Sequence, residues 1–212
     1  MPNQKAILCY GDSNTWGYVP LLGTRLDRDL RWTSLLQQKL GARFDVIAEG
    51  LNGRSTAWDE PFRPGRNALE SIIPALHSHQ PLDLVIIMLG TNDLKSHLNV
   101  NPFESGRGMA ALIQATLSSG AGPAGTSPQV LVVSPPKFGR LSEAMRQHFG
   151  EDISRSAALS DVYRKVCDDF KCHFFDLNEV VSVGEDGIHL NETGHLKFAD
   201  AFTPVVKSLV AD

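Results

Sequence analysis

The stretch AILCYGDSN, residues 6–14, begins as an apolar run and ends in the polar turn Gly11-Asp12-Ser13-Asn14. An unbroken apolar run of this length predicts a β-strand covered on both faces, as in a parallel sheet. A serine in the turn that follows lies beside free backbone amides and the positive end of a helix dipole, both of which favour a nearby anion. The stretch therefore predicts an α/β sheet with Ser13 at its carboxyl edge.

Apolar runs alternate with amphipathic stretches along the rest of the chain. Strands are predicted over Ala6–Tyr10, Phe44–Ala48, Leu84–Leu89, Val130–Ser134 and His173–Asp176. Helices are predicted over Leu30–Leu40, Asn67–His77, Pro102–Ser118, Asp152–Asp169 and from about Asn191 to Val210. The alternation favours a three-layer α/β/α sandwich with right-handed crossovers around a five-stranded parallel sheet. The flavodoxin-like strand order 2-1-3-4-5 is the predicted topology.

Size and composition narrow the class of protein. A chain of 212 residues with 42% hydrophobic and 21% charged residues predicts one globular domain over residues 1–212. The net charge of −4 and the scattered lysines and arginines exclude a nucleic-acid partner. The apolar runs are too short for a signal segment or a membrane helix, so no membrane partner and a cytoplasmic location are expected. Three cysteines without CxxC spacing indicate neither a disulfide framework nor a zinc site.

Polar clusters follow three of the predicted strands. They are Gly11–Asn14, Gly50–Arg54 and Gly90–Asp93, and a further polar loop with Asp186 and His189 precedes the last helix. Ligands of open α/β sheets bind at the carboxyl ends of the strands. We therefore expect these loops to meet in one crevice.

The crevice residues have the composition of a nucleophilic site. A serine is a poor nucleophile until a base takes its proton, and the base needs a carboxylate to orient it. Ser13, Asp186 and His189 supply all three groups, and the three-residue spacing allows the carboxylate to reach one ring nitrogen of the histidine. In the alternative reading, Ser13 only caps a helix and Asp186 caps the helix that follows His189.

An oxyanion hole is predicted from three loops. The Asn92 amide, after the third strand, can donate to a developing oxyanion, together with the backbone amides of Ser13 and Gly53. The alternatives are an Asx-turn at Asn92 and a simple turn glycine at Gly53.

Residues that flank the predicted triad and oxyanion hole in the sequence have fewer signals for a role in the site. Predicted substrate-binding residues are Trp16, Thr91, Leu94 and Ile188, with Lys95 and Phe138 at the rim, although Trp16 also fits a core aromatic. Asp12 is assigned to loop scaffolding. Arg54 could steer an anionic substrate, but the expectation is a surface charge. The remaining histidines, which lack an equally placed acid, are expected to be surface or packing residues: His77, His79, His97, His148, His173 and His195.

With these residues assembled, the chain resembles the SGNH (GDSL-type) hydrolase family. The four blocks are represented by Gly11-Asp12-Ser13-Asn14, by Gly53 in residues 50–54, by Gly90-Thr91-Asn92-Asp93 and by Asp186-Gly187-Ile188-His189. Position 14 is asparagine where the family name has leucine. Further stretches, such as Thr15-Trp16-Gly17 and Arg31-Trp32-Thr33, resemble the bacterial arylesterase/acyltransferase subgroup.

The resemblance implies an esterase that acts on small-molecule esters. It implies hydrolysis of short-chain aryl and alkyl esters through an acyl-serine intermediate, with acyl transfer to alcohols or hydrogen peroxide, and no metal or organic cofactor. It also implies a homo-oligomer formed through inserted loops, for which Gly23–Leu30, Asp59–Gly65 and Pro136–Gly150 are the candidates.

Three other readings stay open at this point. A carbohydrate O-acetyl esterase or a thioesterase would carry the same blocks. A flavodoxin-like binding module fits the βα pattern, although Asp12 would place a negative charge against its phosphate ligand. A metallophosphoesterase could use Asp12, Asn92, Asp93 and His189, but the chain has no Asp-x-His motif.

Overall fold

A five-stranded parallel sheet forms the centre of the computed structural model, which describes residues 4–210. Its strands are β1 (Lys5–Gly11), β2 (Phe44–Gly50), β3 (Leu84–Met88), β4 (Gln129–Ser134) and β5 (His173–Asp176). They lie in the order β2-β1-β3-β4-β5, and every pairing is parallel. The predicted fold class and strand order are confirmed.

The register of the sheet aligns the ends of its first three strands. Gly11 at the end of β1 pairs with Gly50 of β2 on one side and with Met88 of β3 on the other. Two of the predicted polar clusters begin at Gly11 and Gly50 themselves, and the third begins at Gly90, two residues after Met88. They therefore leave the sheet side by side at its carboxyl edge.

Seven helices flank the sheet within the described residues. They are α1 (Ser13–Trp16), α2 (Trp32–Leu40), α3 (Ala68–His79), α4 (Pro102–Leu117), α5 (Glu143–Phe149), α6 (Ser154–Phe170) and α7 (Glu192–Val210). Helices α1 and α5 are not among the predicted helices, since both are short and α5 lies in a segment predicted as a loop. A capping box formed by Asn101 and Glu104, with Pro102 as the first helical residue, sets the start of α4.

Alternate residues of β1 supply two separate cores. Leu8 and Tyr10 pack with α3, α4 and α6 on one face, whereas Ile7 and Cys9 pack with α2 and α7 on the other. All four of these side chains are buried, and full burial of a large apolar side chain contributes roughly 1.5–3 kcal/mol. This two-sided burial explains why the strands read as unbroken apolar runs.

A buried histidine joins the two helices of the second face. The Trp32 backbone amide at the start of α2 donates to His195 Nδ1 of α7 at 3.2 Å. That amide is one of the donors a helix leaves unpaired at its N-terminus, and His195 serves as its cap. His195 is thus a packing residue, as predicted.

No helix within residues 4–210 combines the length and apolarity that crossing a bilayer demands.

Candidate active site

The turn after β1 places Ser13 at the first position of α1. Asp12 caps this helix, and its Oδ1 accepts a hydrogen bond from the Asn14 amide at 2.9 Å. The helix lies directly against Gly50 of β2, where a Cβ would stand 2.3 Å from the Trp16 nitrogen. Only a glycine permits this approach, because the clash would be with backbone. The alternative reading in which Ser13 caps the helix is therefore wrong, because Asp12 is the cap and Ser13 lines the crevice.

Ser13, His189 and Asp186 form a continuous hydrogen-bonded chain. Ser13 Oγ lies 2.9 Å from His189 Nε2, and His189 Nδ1 lies 2.6 Å from Asp186 Oδ2. A carboxylate can only accept, so Nδ1 carries the ring proton and Nε2 is left to accept from the serine hydroxyl. The three predicted residues meet, although 176 positions separate Ser13 from His189.

Asp186 is held in its ionised form. Burial by itself would raise the pKa of this carboxyl, but the hydrogen bond and charge of His189 lower it, as do the backbone amides of His189 and Ile188. Both amides donate to Asp186 Oδ1 at 2.9 Å. The net effect is a pKa below the ordinary value, so the carboxylate is available to orient the imidazole and to balance its positive charge.

The predicted oxyanion-hole residues line the same crevice. Asn92 Nδ2 donates to the Arg54 carbonyl at 3.1 Å and approaches Asp12 Oδ2 at the longer distance of 3.4 Å. Gly53 has a φ of +84°, in the left-handed region that favours glycine. Neither the Ser13 nor the Gly53 backbone amide has a hydrogen-bond acceptor within residues 4–210. Both amides are therefore free to donate to a ligand.

Two buried carboxylates lie behind Asn92. Burial raises the pKa of both Asp12 and Asp93 to about 6, against the hydrogen bonds that they accept. Asp93 accepts from the Thr56 amide and hydroxyl, at 2.8 and 2.6 Å, and from the Ser105 hydroxyl at 2.6 Å. Asp93 thus ties the loop after β3 to the loop after β2 and to α4.

A cavity of about 440 Å³ opens over the Ser13 hydroxyl. Part of its lining is largely apolar and includes Tyr18, Met145, Phe149 and Ile188. The polar part, called the polar wall below, includes Asn52, Glu60, Arg63, Thr91, Lys95 and His97. The volume falls in the usual range for small-molecule sites.

Some predicted neighbours lie elsewhere. Thr91 and Ile188 line the cavity as predicted, but Trp16 and Leu94 do not. Leu94 is buried in the core on the α3/α4 side of the sheet, and the Trp16 ring packs beneath the Arg25 guanidinium at 4.8 Å. Phe138 packs behind Phe149, with the ring centroids 5.1 Å apart, rather than at the rim.

Arg54 is not a surface charge, which corrects the prediction. Only 6% of it is exposed, its guanidinium stacks over the Tyr10 ring at 4.1 Å, and Nη1 donates to the carbonyls of Gly11 and Glu49. Those carbonyls stand at the ends of β1 and β2, and the Gly11 carbonyl also accepts from the Leu51 amide at 3.1 Å. Arg54 therefore closes the edge of the sheet beneath the site.

Two groups of cavity residues escaped the sequence analysis. The Tyr18 ring packs on the His189 imidazole with the centroids 4.2 Å apart. Glu60 accepts from Lys95 Nζ at 2.6 Å and pairs with His97 Nε2 at 2.9 Å, so His97 does face an acid, contrary to expectation. His79 likewise pairs with Glu49 at 2.9 Å. Tyr18 has one sequence signal, its closeness to Ser13, whereas nothing local to Glu60 indicates its partners.

No group of three or more His, Cys, Asp or Glu side chains in the described part of the chain is arranged to hold a metal ion.

Comparison with known proteins gives a consistent result. The sequence model of the GDSL-like lipase/acylhydrolase family matches residues 9–197, while no curated protein sequence matches significantly. The solved structure of native M. smegmatis aryl esterase is 40% identical, with a TM-score of 0.93, 97% of this chain and 100% of that chain covered. Its inhibitor-bound form is 39% identical, with the same TM-score and coverage. A carbohydrate acetylesterase from Sinorhizobium meliloti is 36% identical, again with a TM-score of 0.93 and coverage of 97% and 100%.

Proposed function

This chain belongs to the GDSL-like lipase/acylhydrolase family, and from that premise we propose that it hydrolyses short-chain aryl and alkyl esters through an acyl-Ser13 intermediate. The resemblance seen in the sequence is confirmed, and the protein is a carboxylic ester hydrolase. The observation that carries the finer proposal is the 2.9 Å contact between Ser13 Oγ and His189 Nε2 at the floor of the cavity.

The first half of the proposed reaction forms the acyl-enzyme. His189 Nε2 takes the Ser13 proton as Oγ attacks the ester carbonyl carbon, and Asp186 balances the imidazolium charge. The tetrahedral oxyanion receives hydrogen bonds from the Ser13 and Gly53 amides and from Asn92 Nδ2, for which the long Asp12 contact of Asn92 leaves a hydrogen available. The imidazolium then gives its proton to the departing alcohol or phenol oxygen, and the ester bond breaks.

The second half releases the acyl group. Water enters, His189 takes one of its protons, and the hydroxyl attacks the acyl-Ser13 carbonyl. Collapse of this second intermediate returns the proton to Ser13 Oγ and frees the carboxylic acid. We propose that an alcohol or hydrogen peroxide can replace water in this step, which would give acyl transfer with the same proton movements.

The size and lining of the cavity suit small ester substrates. Met145, Phe149 and Ile188 offer apolar surface to an aryl ring or a short alkyl chain, within about 440 Å³. A second candidate, a carbohydrate O-acetyl esterase, is favoured by the polar wall around Glu60 and Lys95, which suits sugar hydroxyls. A panel of aryl acetates, alkyl esters of increasing length and acetylated sugars separates the two candidates by their relative kcat/KM.

Labelling of the nucleophile tests the proposed mechanism directly. An organophosphonate ester should form one stable adduct, which mass spectrometry places on Ser13. Ser13→Ala should lose both the adduct and the turnover of an activated aryl acetate, with an unchanged circular dichroism spectrum. Ser78→Ala, at an exposed serine of α3, is the matched control and should behave as wild type. Substantial turnover by Ser13→Ala would overturn the mechanism.

We also propose that the protein is a homo-oligomer and cytoplasmic. Three large apolar side chains support the first point, since Leu21, Leu22 and Phe62 are at least 66% exposed and lie in or beside two of the predicted interface loops. The free thiols of Cys9, Cys167 and Cys172 suit a reducing compartment and support the second. Sedimentation equilibrium of wild type and of Phe62→Ser tests the assembly, and a wild-type mass of 23.2 kDa would refute it.

A further inference from the structure

We propose that the cavity selects esters that carry a carboxylate, which the Arg63 guanidinium binds beside the reacting centre. The inference deepens the proposed function and rests on it, because the anion is placed relative to Ser13 and the oxyanion hole. The substrate class is an ester with a carboxylate either on its acyl part, as in the half-ester of a dicarboxylic acid, or on its alcohol part.

Arg63 stands next to an oxyanion-hole residue. A Cβ placed on Gly53 would lie 3.0 Å from Arg63 Nη1 and 3.5 Å from its Cζ. The guanidinium therefore packs against Gly53, whose amide is free to donate, and it lines the cavity together with Ser13. A carboxylate bound there would sit within a few bonds of the scissile carbonyl.

The other charges of the polar wall are already neutralised. Glu60, of which 3% of the side chain is exposed, pairs with both Lys95 and His97. Arg63 has no carboxylate partner in the part of the chain that the structure describes. An arginine is a strong bidentate donor to carboxylates, so an unpaired one in a cavity wall is a site for an anion.

A second cation reinforces this side of the cavity. The Arg66 Cγ lies 3.8 Å from the same point on Gly53, and burial together with the Arg63 charge lowers the pKa of Arg66. The two positive charges thus repel each other, although the Arg66 guanidinium itself donates to the carbonyls of Asn52 and Pro64 and does not line the cavity. An anion bound by Arg63 would relieve part of that repulsion. This local field opposes the net charge of −4 on the whole chain, which would otherwise disfavour an anionic substrate.

The Glu60 cluster holds Arg63 in place. The Arg63 amide donates to the Glu60 carbonyl at 3.1 Å, and the Phe62 amide approaches Glu60 Oε1 at 3.4 Å. The Phe62 ring packs edge-on against His97, with the centroids 5.2 Å apart. The turn at residues 60–63 is therefore fastened to the polar wall by a buried charge, and the arginine is preorganised over the cavity.

The experiment compares anionic esters with neutral esters of the same shape. For the acyl side, monophenyl glutarate is paired with the phenyl ester of the branched uncharged acid that replaces the carboxylate by an isopropyl group. For the alcohol side, para-acetoxybenzoate is paired with para-acetoxybenzamide. The readout is the ratio of kcat/KM within each pair, which cancels general effects of a mutation on the catalytic groups.

Arg63→Gln should lower the anionic-to-neutral ratio of at least one pair by roughly five- to tenfold, a modest figure because the arginine is exposed. Arg63→Lys should keep part of the preference, and added salt should reduce it in wild type. Arg107→Gln removes the same charge from an exposed position outside the cavity and should leave both ratios unchanged. The pair that responds identifies which part of the substrate carries the carboxylate.

The inference is overturned if the anionic-to-neutral ratios of Arg63→Gln match those of wild type in both pairs, whether kcat/KM is unchanged or falls equally on anionic and neutral esters. Failure of the proposed function is recognised separately, because it requires turnover by Ser13→Ala, whereas these ratios are read in enzymes that keep Ser13.

Discussion

Asn14 Oδ1 accepts a hydrogen bond from the backbone amide of Leu190 at 2.8 Å, across 176 positions of sequence. Asn14 directly follows Ser13, and Leu190 directly follows His189. This bond fastens the turn that carries the serine to the loop that carries the histidine. It explains how the Ser13–His189 distance is maintained between opposite ends of the chain.

Removing this tie should damage both stability and activity. Asn14→Ala leaves the buried Leu190 amide without an acceptor, which costs about 1–3 kcal/mol of unfolding free energy. A loosened Ser13–His189 contact should also lower kcat, since misplaced catalytic groups lose the advantage of proximity. Urea unfolding and steady-state kinetics measure the two effects. Wild-type stability in this variant would show that the bond contributes nothing.

Asn92→Ala tests the oxyanion hole. Loss of one preorganised donor to the oxyanion should reduce kcat by about 10²–10³-fold while KM changes little. Asn178→Ala, in the turn Leu177–Glu179 that follows β5 and does not line the cavity, serves as a comparison. A change confined to KM would instead assign Asn92 to substrate positioning.

The buried His195 should make stability depend on pH in one direction. Burial, with smaller contributions from the Arg31 and His189 charges, lowers its pKa from 6.5 to about 4. As the pH falls from 6.5 to 4, the unfolded chain takes up the proton before the folded protein does. The free energy of unfolding therefore decreases by about 1.4 kcal/mol per pH unit and by up to ~3 kcal/mol in all. The unfolding free energy of wild type relative to His195→Asn should therefore rise from pH 4 to 6.5. A constant difference would contradict the assignment.

The buried Asp93 should make the unfolding free energy change with pH in the opposite direction to His195, over nearly the same pH range. Its pKa is raised from 3.8 to about 6, mainly by burial, so the folded state keeps the proton that the unfolded chain releases. The unfolding free energy of wild type relative to Asp93→Asn should fall between about pH 4 and 6 and stay level above it. Chemical denaturation at several pH values measures the unfolding free energy of wild type and of both variants. If the two differences from wild type change with pH in the same direction, one of the two predictions is wrong.

The local sequence pattern was enough to predict the central sheet of this protein and the edge at which its site lies. Apolar runs such as Leu84–Leu89 predicted the strands because both faces of a parallel sheet are buried. The βα alternation predicted the sandwich, the flavodoxin-like arrangement supplied the strand order, and the polar clusters at Gly11, Gly50 and Gly90 marked the carboxyl edge of the sheet. Ser13, Gly53 and Asn92 could be predicted because they follow strand ends that the sheet brings together, whereas Asp186 and His189 were identified by the three-residue spacing of an acid and a base before the last helix.

The wall of the cavity could not be predicted in the same way. Glu60 meets Lys95 over 35 positions of sequence, and no periodicity of either segment encodes that contact. The sequence alone predicts a surface charge at Arg54, yet this side chain is buried in contact with the carbonyls at the ends of two strands and with the Tyr10 ring.

The sequence by itself thus determined which backbone segments converge and which chemistry they carry, since strand periodicity and loop position are local properties. Only the tertiary structure decided which side chains face the substrate and which charges remain unpaired, because these depend on contacts between loops distant in the chain. Arg63 is the clearest case: its charge is visible in the sequence, but its place beside Gly53 exists only after folding.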